Sequence, residues 1–143
     1  MLDEGSDEYE NEENDGLPTN LLPDVAICGF WDDLIIYQGT DQGIFYQIFG
    51  TAGTRSVTFE FNLSSYDDED DVYHFTVTFY EDQPGVSRVN FIQISLDGET
   101  GTVGVQRRSS DQVLVYAQND AIINDETFVR FDTVGNSIST GNF

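Results

Sequence analysis

Strict alternation of apolar and polar side chains is the feature that most restricts the fold of this chain. It is longest in "VYHFTVTFYE" (72–81), where every second residue is large and apolar. Successive side chains of a β-strand point to opposite faces, so a period of two predicts a strand that is buried on one face. The predicted inward-facing residues are Tyr73, Phe75, Val77 and Phe79.

Two neighbouring segments carry strand signals of different kinds. The stretch "IFYQIF" (44–49) is apolar at both parities, which predicts a strand that is buried on both faces. The stretch "RSVTFEFNL" (55–63) alternates instead, which predicts a strand with one core-facing side. Its predicted core-facing residues are Val57, Phe59 and Phe61.

Short turn sequences separate the predicted strands. "QPGV" (83–86) has the proline and glycine of a type II turn and predicts a hairpin. "LDGETG" (96–101) contains Asp-Gly, which suits the positive φ angles of a second tight hairpin. About eight strands joined by such turns predict an antiparallel β-sandwich.

The composition agrees with an all-β fold. The chain has 11 Phe, 7 Tyr, 13 Gly and no lysine, and aromatic side chains pack well on sheets while glycine favours turns. A length of 143 residues predicts one domain. Residues 1–16 are rich in acids and poor in apolar side chains, so we expect a disordered acidic arm there. A single β-sandwich domain is predicted over residues 17–143.

The charge of the chain is strongly negative, with 27 acidic and 5 basic residues and a net charge of −22. Such a surface repels phosphate, which excludes nucleic acids and anionic membranes as partners and favours cations. No apolar run approaches the ~18 residues of a membrane span. The first residues lack the basic and apolar regions of a signal peptide, so the protein is either intracellular or begins after a removed leader.

The sequence has one cysteine and one histidine. Cys28 lies in an apolar run, which predicts a buried and unreactive thiol. His74 would need a second imidazole or a cysteine partner to form a zinc site or a catalytic triad. It is therefore interpreted as a residue of a half-exposed sheet face.

The only tryptophan is followed at once by two aspartates, in the order Trp31, Asp32, Asp33. Paired carboxylates can carry out acid–base chemistry, and Glu60 or Glu81 could complete such a pair in a hydrolase. Adjacent strand residues point to opposite faces, however, and an aspartate ahead of a strand commonly binds backbone amides. The three residues are therefore interpreted as a structural corner.

Two further features suggest ligands or modifications. The acidic run "YDDEDD" (66–71) offers carboxylate oxygens but lacks the spacing of an EF-hand. Ca²⁺ is the one cofactor considered, and its candidate ligands are Asp67, Asp68, Asp70 and Asp71. Asn62 begins an N-glycosylation sequon at a predicted strand end, where a glycan would fit if the protein is secreted.

The number of aromatic residues is a further clue to function. Five of them cannot all face one core: Tyr37, Phe45, Tyr46, Tyr80 and Tyr116. An exposed aromatic sheet face or loop rim suits contact with carbohydrate or protein. Packing between two sheets is the alternative interpretation.

Several short motifs, taken in order, resemble those of a known family. They are a Phe-Trp-Asp-Asp-Leu segment, a Gly-x-x-Tyr strand, a Gly-Thr-x-x-x-Arg turn, a strand ending in Tyr-Glu and a Thr-Val-Gly-Val-Gln strand. They occupy residues 30–34, 43–46, 50–55, 79–81 and 102–106. In order and spacing, roughly residues 21–133 resemble the nidogen-type (NIDO-like) extracellular β domains of fungi and bacteria, the fungal branch above all.

The resemblance implies a secreted or cell-surface β-sandwich that acts as a non-enzymatic recognition or adhesion module toward a protein or glycan. The family has further strands ahead of its Phe-Trp-Asp-Asp segment, where this chain has the acidic arm, and Cys28-Gly29 replaces the usual proline. Missing front strands would leave a sheet edge open, and an open edge pairs readily with another chain. The alternative functions are therefore a self-assembling structural subunit and, third, the carboxylate-based hydrolase.

Overall fold

Ten β-strands and no α-helix make up the described part of the chain, which comprises residue 14 and residues 16–143 of a computed structural model. None of this part is a helix that is long and apolar enough to cross a membrane. The strands are β1 (Val25–Trp31), β2 (Leu34–Ile35), β3 (Gly43–Phe49), β4 (Ser56–Ser65), β5 (Val72–Tyr80), β6 (Val86–Ile94), β7 (Thr102–Arg107), β8 (Gln112–Gln118), β9 (Thr127–Asp132) and β10 (Ser137–Asn142).

The strands form two antiparallel sheets. The small sheet has the order β1-β7-β8, and the large sheet has the order β10-β9-β6-β5-β4, with β2 and β3 both pairing with the far side of β4. The predicted all-β, antiparallel two-sheet architecture is confirmed, with ten strands instead of about eight. The two-residue β2 was not predicted, and neither was β10, whose sequence has only a weak period.

The core lies between the two sheets. Tyr73, Phe75 and Val77 of β5 are at most 5% exposed, as the period of two predicts. Phe30 of β1 stacks on Tyr73 with ring centroids 4.8 Å apart, and burial of each such side chain contributes about 1.5–3 kcal/mol. The strands β6 and β9 add the fully buried Val89, Phe91, Val129 and Phe131.

Three predictions of burial on the large sheet are wrong, and the first concerns Phe59, which was predicted to face the core and is 36% exposed. Phe79, the fourth alternating residue of β5, is 37% exposed. The strand β3 was predicted to be buried on both faces, yet every residue from Ile44 to Phe49 is exposed. The small sheet faces β5 through β1 and β10 through β8, and nothing in the described chain covers β3, so its apolar residues meet solvent.

The two turns that flank β6 differ in kind. The hairpin predicted at "QPGV" (83–86) is present, since β5 and β6 are antiparallel neighbours. The hairpin predicted at "LDGETG" (96–101) is wrong, because β6 belongs to the large sheet and β7 to the small one. Leu96 and Asp97 do have positive φ values, 55° and 50°, but they turn the chain from one sheet to the other.

The residues ahead of β1 cross the outer face of the small sheet, and residues 14 and 16–24 are called the strap here. Asn14 Nδ2 donates to the carbonyl oxygens of Trp31 and Thr100. Farther along, the Leu17 side chain lies over Gly104 of β7. The predicted disordered arm, residues 1–16, otherwise lies outside the described residues.

A buried glutamine fastens the strap to the sheet. Gln106 of β7 is 3% exposed. Its Oε1 accepts the Thr19 N–H at 2.8 Å, and its Nε2 donates to Thr19 O at 3.1 Å and to Pro23 O at 2.8 Å. Because the strap covers the outer face, residues 102–106 are buried on both sides of the small sheet.

Candidate functional site

The large sheet is wider than the small sheet that covers it, and the excess width leaves apolar side chains exposed on its core-side face. Directly paired residues of antiparallel strands point to the same face, so the β3 residues that pair with Phe59, Phe61 and Val57 extend the core face outward. The exposed members of this face, here called the ledge, are Ile44 (56%), Tyr46 (71%), Ile48 (59%), Phe59 (36%) and Phe79 (37%).

The strand beside the ledge, β1, pairs only with β7 as far as the described residues go. Arg108 N–H donates to Asp24 O at 3.0 Å, and antiparallel partners alternate between hydrogen-bonded and non-hydrogen-bonded pairs. From the register, Ala26 then exchanges hydrogen bonds with β7, whereas the N–H and C=O of Val25 and Ile27 point away from it. One edge of β1 therefore presents backbone donors and acceptors on the side of the ledge.

A groove of about 560 Å³, here called the β1 groove, runs between this edge and the strands β4 and β5. Trp31 lines one end, and Asp32 is the single charged residue of the described chain that lines it. Gly29 allows the close packing of β1 on β5, because a Cβ there would lie 2.6 Å from Val77 Cγ2. The floor of the groove is formed by Phe59, Phe61, Leu63, Phe75 and Val77.

Trp31, Asp32 and Asp33 turn the chain from β1 to β2 at that end of the groove. Asp32 Oδ1 accepts the Asp33 N–H at 2.9 Å, and Asp32 Oδ2 accepts the Thr100 hydroxyl at 2.6 Å. Burial raises the pKa of Asp33, and the nearby carboxylates of Asp32 and Asp67 add to the effect. These contacts have the geometry of a corner between the two sheets.

The carboxylates that could complete a hydrolytic pair with this corner lie elsewhere. Glu60 is on the outer face of β4, where its Oε1 is 2.7 Å from His74 Nε2. Glu81 follows β5 at the end of β4 that is opposite to β2. The structure therefore does not bring Asp32 or Asp33 together with either glutamate.

The acidic loop 66–71 joins β4 to β5 and uses its own polar groups. Asp68 Oδ1 accepts the Asp70 N–H at 2.9 Å, and Asp68 O accepts the Asp71 N–H at 3.2 Å. Across the residues that the structure describes, no three His, Cys, Asp or Glu side chains are grouped as a metal site. Binding of Ca²⁺ by Asp67, Asp68, Asp70 and Asp71 stays a prediction, and it would require this loop to rearrange.

Three other residues singled out in the sequence lie within strands. Asn62 is inside β4, not at its end as predicted, and pairs with Gly43 and His74; its glycosylation stays a prediction. His74 is half-buried on the outer face. Cys28 is buried in β1, and desolvation raises the pKa of its thiol to about 12, so it stays protonated at neutral pH.

Over β4, β5 and β6 the outer face of the large sheet is polar and internally hydrogen-bonded, whereas Phe45 and Phe49 of β3 are exposed on it. Arg88 Nε donates to Asn90 Oδ1 at 2.7 Å, and Asn90 Nδ2 donates to Thr76 Oγ1 at 3.2 Å. The Arg88 guanidinium also lies 3.9 Å from the ring centroid of Phe128. A polar face is usual for the solvent side of an antiparallel sheet, and the ledge is the less ordinary surface because it exposes five large apolar side chains against those two phenylalanines.

The aromatic residues that seemed too many for one core divide between the two environments. Phe45 and Tyr46 are exposed on opposite faces of β3, at 51% and 71%. Tyr116 packs against the core instead. Exposed aromatic contact surface is therefore concentrated on β3.

An ion pair that the sequence reasoning missed joins two of the ordered motifs. Arg55, which ends the Gly-Thr-x-x-x-Arg turn, donates to the Glu81 carboxylate from Nε at 3.0 Å and Nη2 at 2.8 Å. Glu81 also accepts the backbone N–H groups of Arg55 and Gly53. The hydrogen bonds from Arg55 and then from Gly53 lower the pKa of Glu81 to about 2.

Protonation of Glu81 should lower the stability of the protein in acid. A carboxylate with a depressed pKa contributes stability that is fully present above its unfolded pKa and is lost as pH falls through its folded pKa, here from 4.5 toward about 2. We expect the melting temperature of Glu81→Gln to fall less than that of the wild type over this pH window. Thermal melts of both proteins test this, with Glu99→Gln as a control that removes an exposed carboxylate. An equal fall in all three proteins would contradict it.

Comparison with known proteins bears on the family of the chain. A family model described as "NIDO related" matches residues 2–140. No curated protein matches the chain, and no solved structure does. The family match agrees with the resemblance indicated by the ordered motifs.

Proposed function

The chain belongs to the NIDO-related family, and on that premise we propose that it is a non-enzymatic extracellular recognition module that uses the ledge and the β1 groove as its contact surface. The observation that carries this proposal is the ledge, in which five large apolar side chains of one face are 36% to 71% exposed. Contiguous apolar surface of this kind marks interaction sites.

The chemistry of the groove supports binding more than turnover. Its floor is apolar, and its one charged side chain is Asp32 among the residues described. Both oxygens of that carboxylate already accept hydrogen bonds, from Asp33 and Thr100. Apolar surface with few polar groups is suited to holding a ligand, and general acid–base catalysis would need a second group within reach.

An extracellular or cell-surface location is part of the proposal and rests on the family. The single cysteine is compatible with that location, because Cys28 is buried and desolvation raises the pKa of its thiol. Thiol oxidation requires the thiolate and access to it. The cysteine would therefore survive in an oxidising compartment.

Neighbouring residues of β3 provide the test of the contact surface. Tyr46 is on the ledge and Gln47 is on the outer face, and both are exposed. We expect the labelled wild-type chain to bind saturably to at least one member of a panel of immobilised extracellular proteins and glycans. Tyr46→Asp should weaken that binding by at least about tenfold, and Gln47→Asp, which adds the same charge to the same strand, should not.

Two results would overturn this assignment of the surface. One is saturable binding that Gln47→Asp abolishes and Tyr46→Asp leaves unchanged, which would move the contact to the outer face. The other is turnover of a panel member that is lost in Asp32→Asn with the fold intact by circular dichroism, which would favour the hydrolase.

Self-assembly is the second candidate function, and the edge strand β3 is the observation in its favour. Its residues are exposed on both faces, and within the described chain it pairs only with β4. Exposed apolar edges are templates for pairing with another copy, although a net charge of −22 on each copy opposes it. Sedimentation velocity over a hundredfold concentration range separates the two functions: a constant monomer supports recognition, and growth that Gln47→Asp and Tyr46→Asp both suppress supports assembly.

A further inference from the structure

We infer that the β1 groove binds an extended segment of a separate, net-basic polypeptide, which adds to the free edge of β1 as a further strand of the small sheet. This inference rests on the proposed function and deepens it, because it names the class of ligand and the backbone groups that bind it. Addition of a strand to an open sheet edge is a general mode of peptide binding.

The widths of the two sheets determine where an added strand would lie. Neighbouring strands are about 4.8 Å apart and packed sheets about 10 Å apart. Since β1 lies over β5, the next strand of the small sheet would lie over β4. Its inward side chains would then contact Phe59 and Phe79, and a second strand of the same partner would cover Tyr46.

The edge of β1 that pairs with no other described strand supplies the hydrogen bonds. The N–H and C=O of Val25 and Ile27 point away from β7, and an added strand would pair with them. β1 is seven residues long, so a segment of similar length would match it. Its inward residues would have to be apolar, because they meet the phenylalanine-rich floor of the groove.

The outer edge of β3 is a poorer place for strand addition. A strand added there would extend the large sheet farther beyond the small one, and its two faces would both stay in solvent. At the edge of β1, one face of the added strand would be buried against the floor of the groove. Because burial of apolar area is favourable, the edge of β1 is favoured.

Charge identifies the partner as basic and as a separate chain. Asp32 lines the groove and Asp33 follows it, and the whole chain has a net charge of −22. A second copy would bring the same charge. Residues 1–13 contain acids and no base, and an acidic segment does not complement a groove whose one charged side chain among the described residues is Asp32, in a chain of negative net charge.

A synthetic peptide serves as the probe. It has seven residues that alternate valine and threonine, to match β1, with two lysines at each end. Trp31 lines the groove and is the only tryptophan of the chain, so its fluorescence should change saturably with peptide. Amide exchange of the full chain should show new protection at Val25 and Ile27.

A proline at Val25 tests the role of the backbone. Val25 is 60% exposed, and proline is tolerated on edge strands where the N–H faces solvent. Val25→Pro removes one outward donor and leaves the bonds to β7 in place, so it should weaken peptide binding by about tenfold. Val25→Ala truncates the same side chain and keeps the N–H, so it should weaken binding less than Val25→Pro, and the difference between the two variants measures the backbone donor.

Several outcomes would overturn the inference. Equal binding of a scrambled peptide without alternation would indicate unspecific apolar contact, and equal binding of a peptide with glutamates in place of lysines would remove the charge argument. Protection of the Val25 and Ile27 amides before peptide is added would mean that residues 1–13 or a second copy occupy the edge. If Tyr46→Asp abolishes binding to a panel member but Val25→Pro has no effect on either ligand, the proposed function stands and strand addition fails.

Discussion

Replacing Gln106 with leucine is expected to lower the free energy of unfolding by about 3 kcal/mol. The side chain is 3% exposed, and it is the hydrogen-bonding partner of Thr19 N–H, Thr19 O and Pro23 O. Leucine has a similar volume but no polar atoms, so these backbone groups would be left unpaired under the strap. Each unpaired buried group costs about 1–3 kcal/mol, and partial lifting of the strap into water reduces the sum.

Urea denaturation of Gln106→Leu and the wild type measures the change, and amide exchange at Thr19 locates it. Gln93→Leu is the matched control, because Gln93 is an exposed glutamine of another strand. Exposed substitutions usually change stability by less than about 0.5 kcal/mol. A loss for Gln106→Leu no greater than that of the control would show that the amide does not hold the strap.

The second large effect concerns Gly29 and Val77, where β1 meets β5. A Cβ at position 29 would lie 2.6 Å from Val77 Cγ2 and 2.9 Å from Phe75 Cε2. Overpacking of this kind costs about 1–3 kcal/mol, so we expect Gly29→Ala to destabilise the protein by about 2 kcal/mol. Val77→Ala alone should cost a similar amount, because it leaves a cavity against β1.

The double variant decides whether the two effects have one cause. In Gly29→Ala/Val77→Ala the new methyl group would occupy space that the valine methyl groups leave. We therefore expect the loss to be smaller than the sum of the single losses by at least about 1 kcal/mol. Denaturation of all four proteins completes the cycle. Additive losses would mean that the close approach at Gly29 does not limit how near the sheets can lie.

The parts of the fold that could be predicted depend on local chemistry. The alternation in β5 predicts Tyr73, Phe75 and Val77 as core residues, and all three are buried. The Pro-Gly turn predicts the hairpin between β5 and β6, which is present. In both cases the decisive information lies within a few residues of the chain.

Local sequence patterns could not predict whether the second sheet covers a given strand. The apolar residues of β3 are those of a buried strand, yet the small sheet ends at β1 and does not reach them. Phe79 continues the alternation of β5 and is exposed for a related reason, since it lies at the end of β5. The hydrophobic pattern of a strand shows which of its side chains are apolar. Whether those side chains are buried depends on how many strands the opposite sheet has.

The same limit applies to the site. Positive φ at Leu96 and Asp97 suits a hairpin and also suits a crossover between sheets, so turn chemistry alone could not separate the two. Gln106 contacts Thr19 across 87 positions, and no local pattern distinguishes it from other strand glutamines. The pair of Arg55 and Glu81 could have been found only by asking why two of the ordered motifs end in opposite charges.

The strap also determines how the molecule would carry tension. A pull on the chain ahead of Asn14 would load the side-chain hydrogen bonds of Asn14, then the three hydrogen bonds of Gln106, and only then reach β1. Within the described chain β1 has antiparallel bonds along one edge only, so it would separate from β7 by peeling once those side-chain hydrogen bonds broke. In a tethered molecule under drag, the amide side chains of Asn14 and Gln106 would thus have to release the strap before force could open the small sheet.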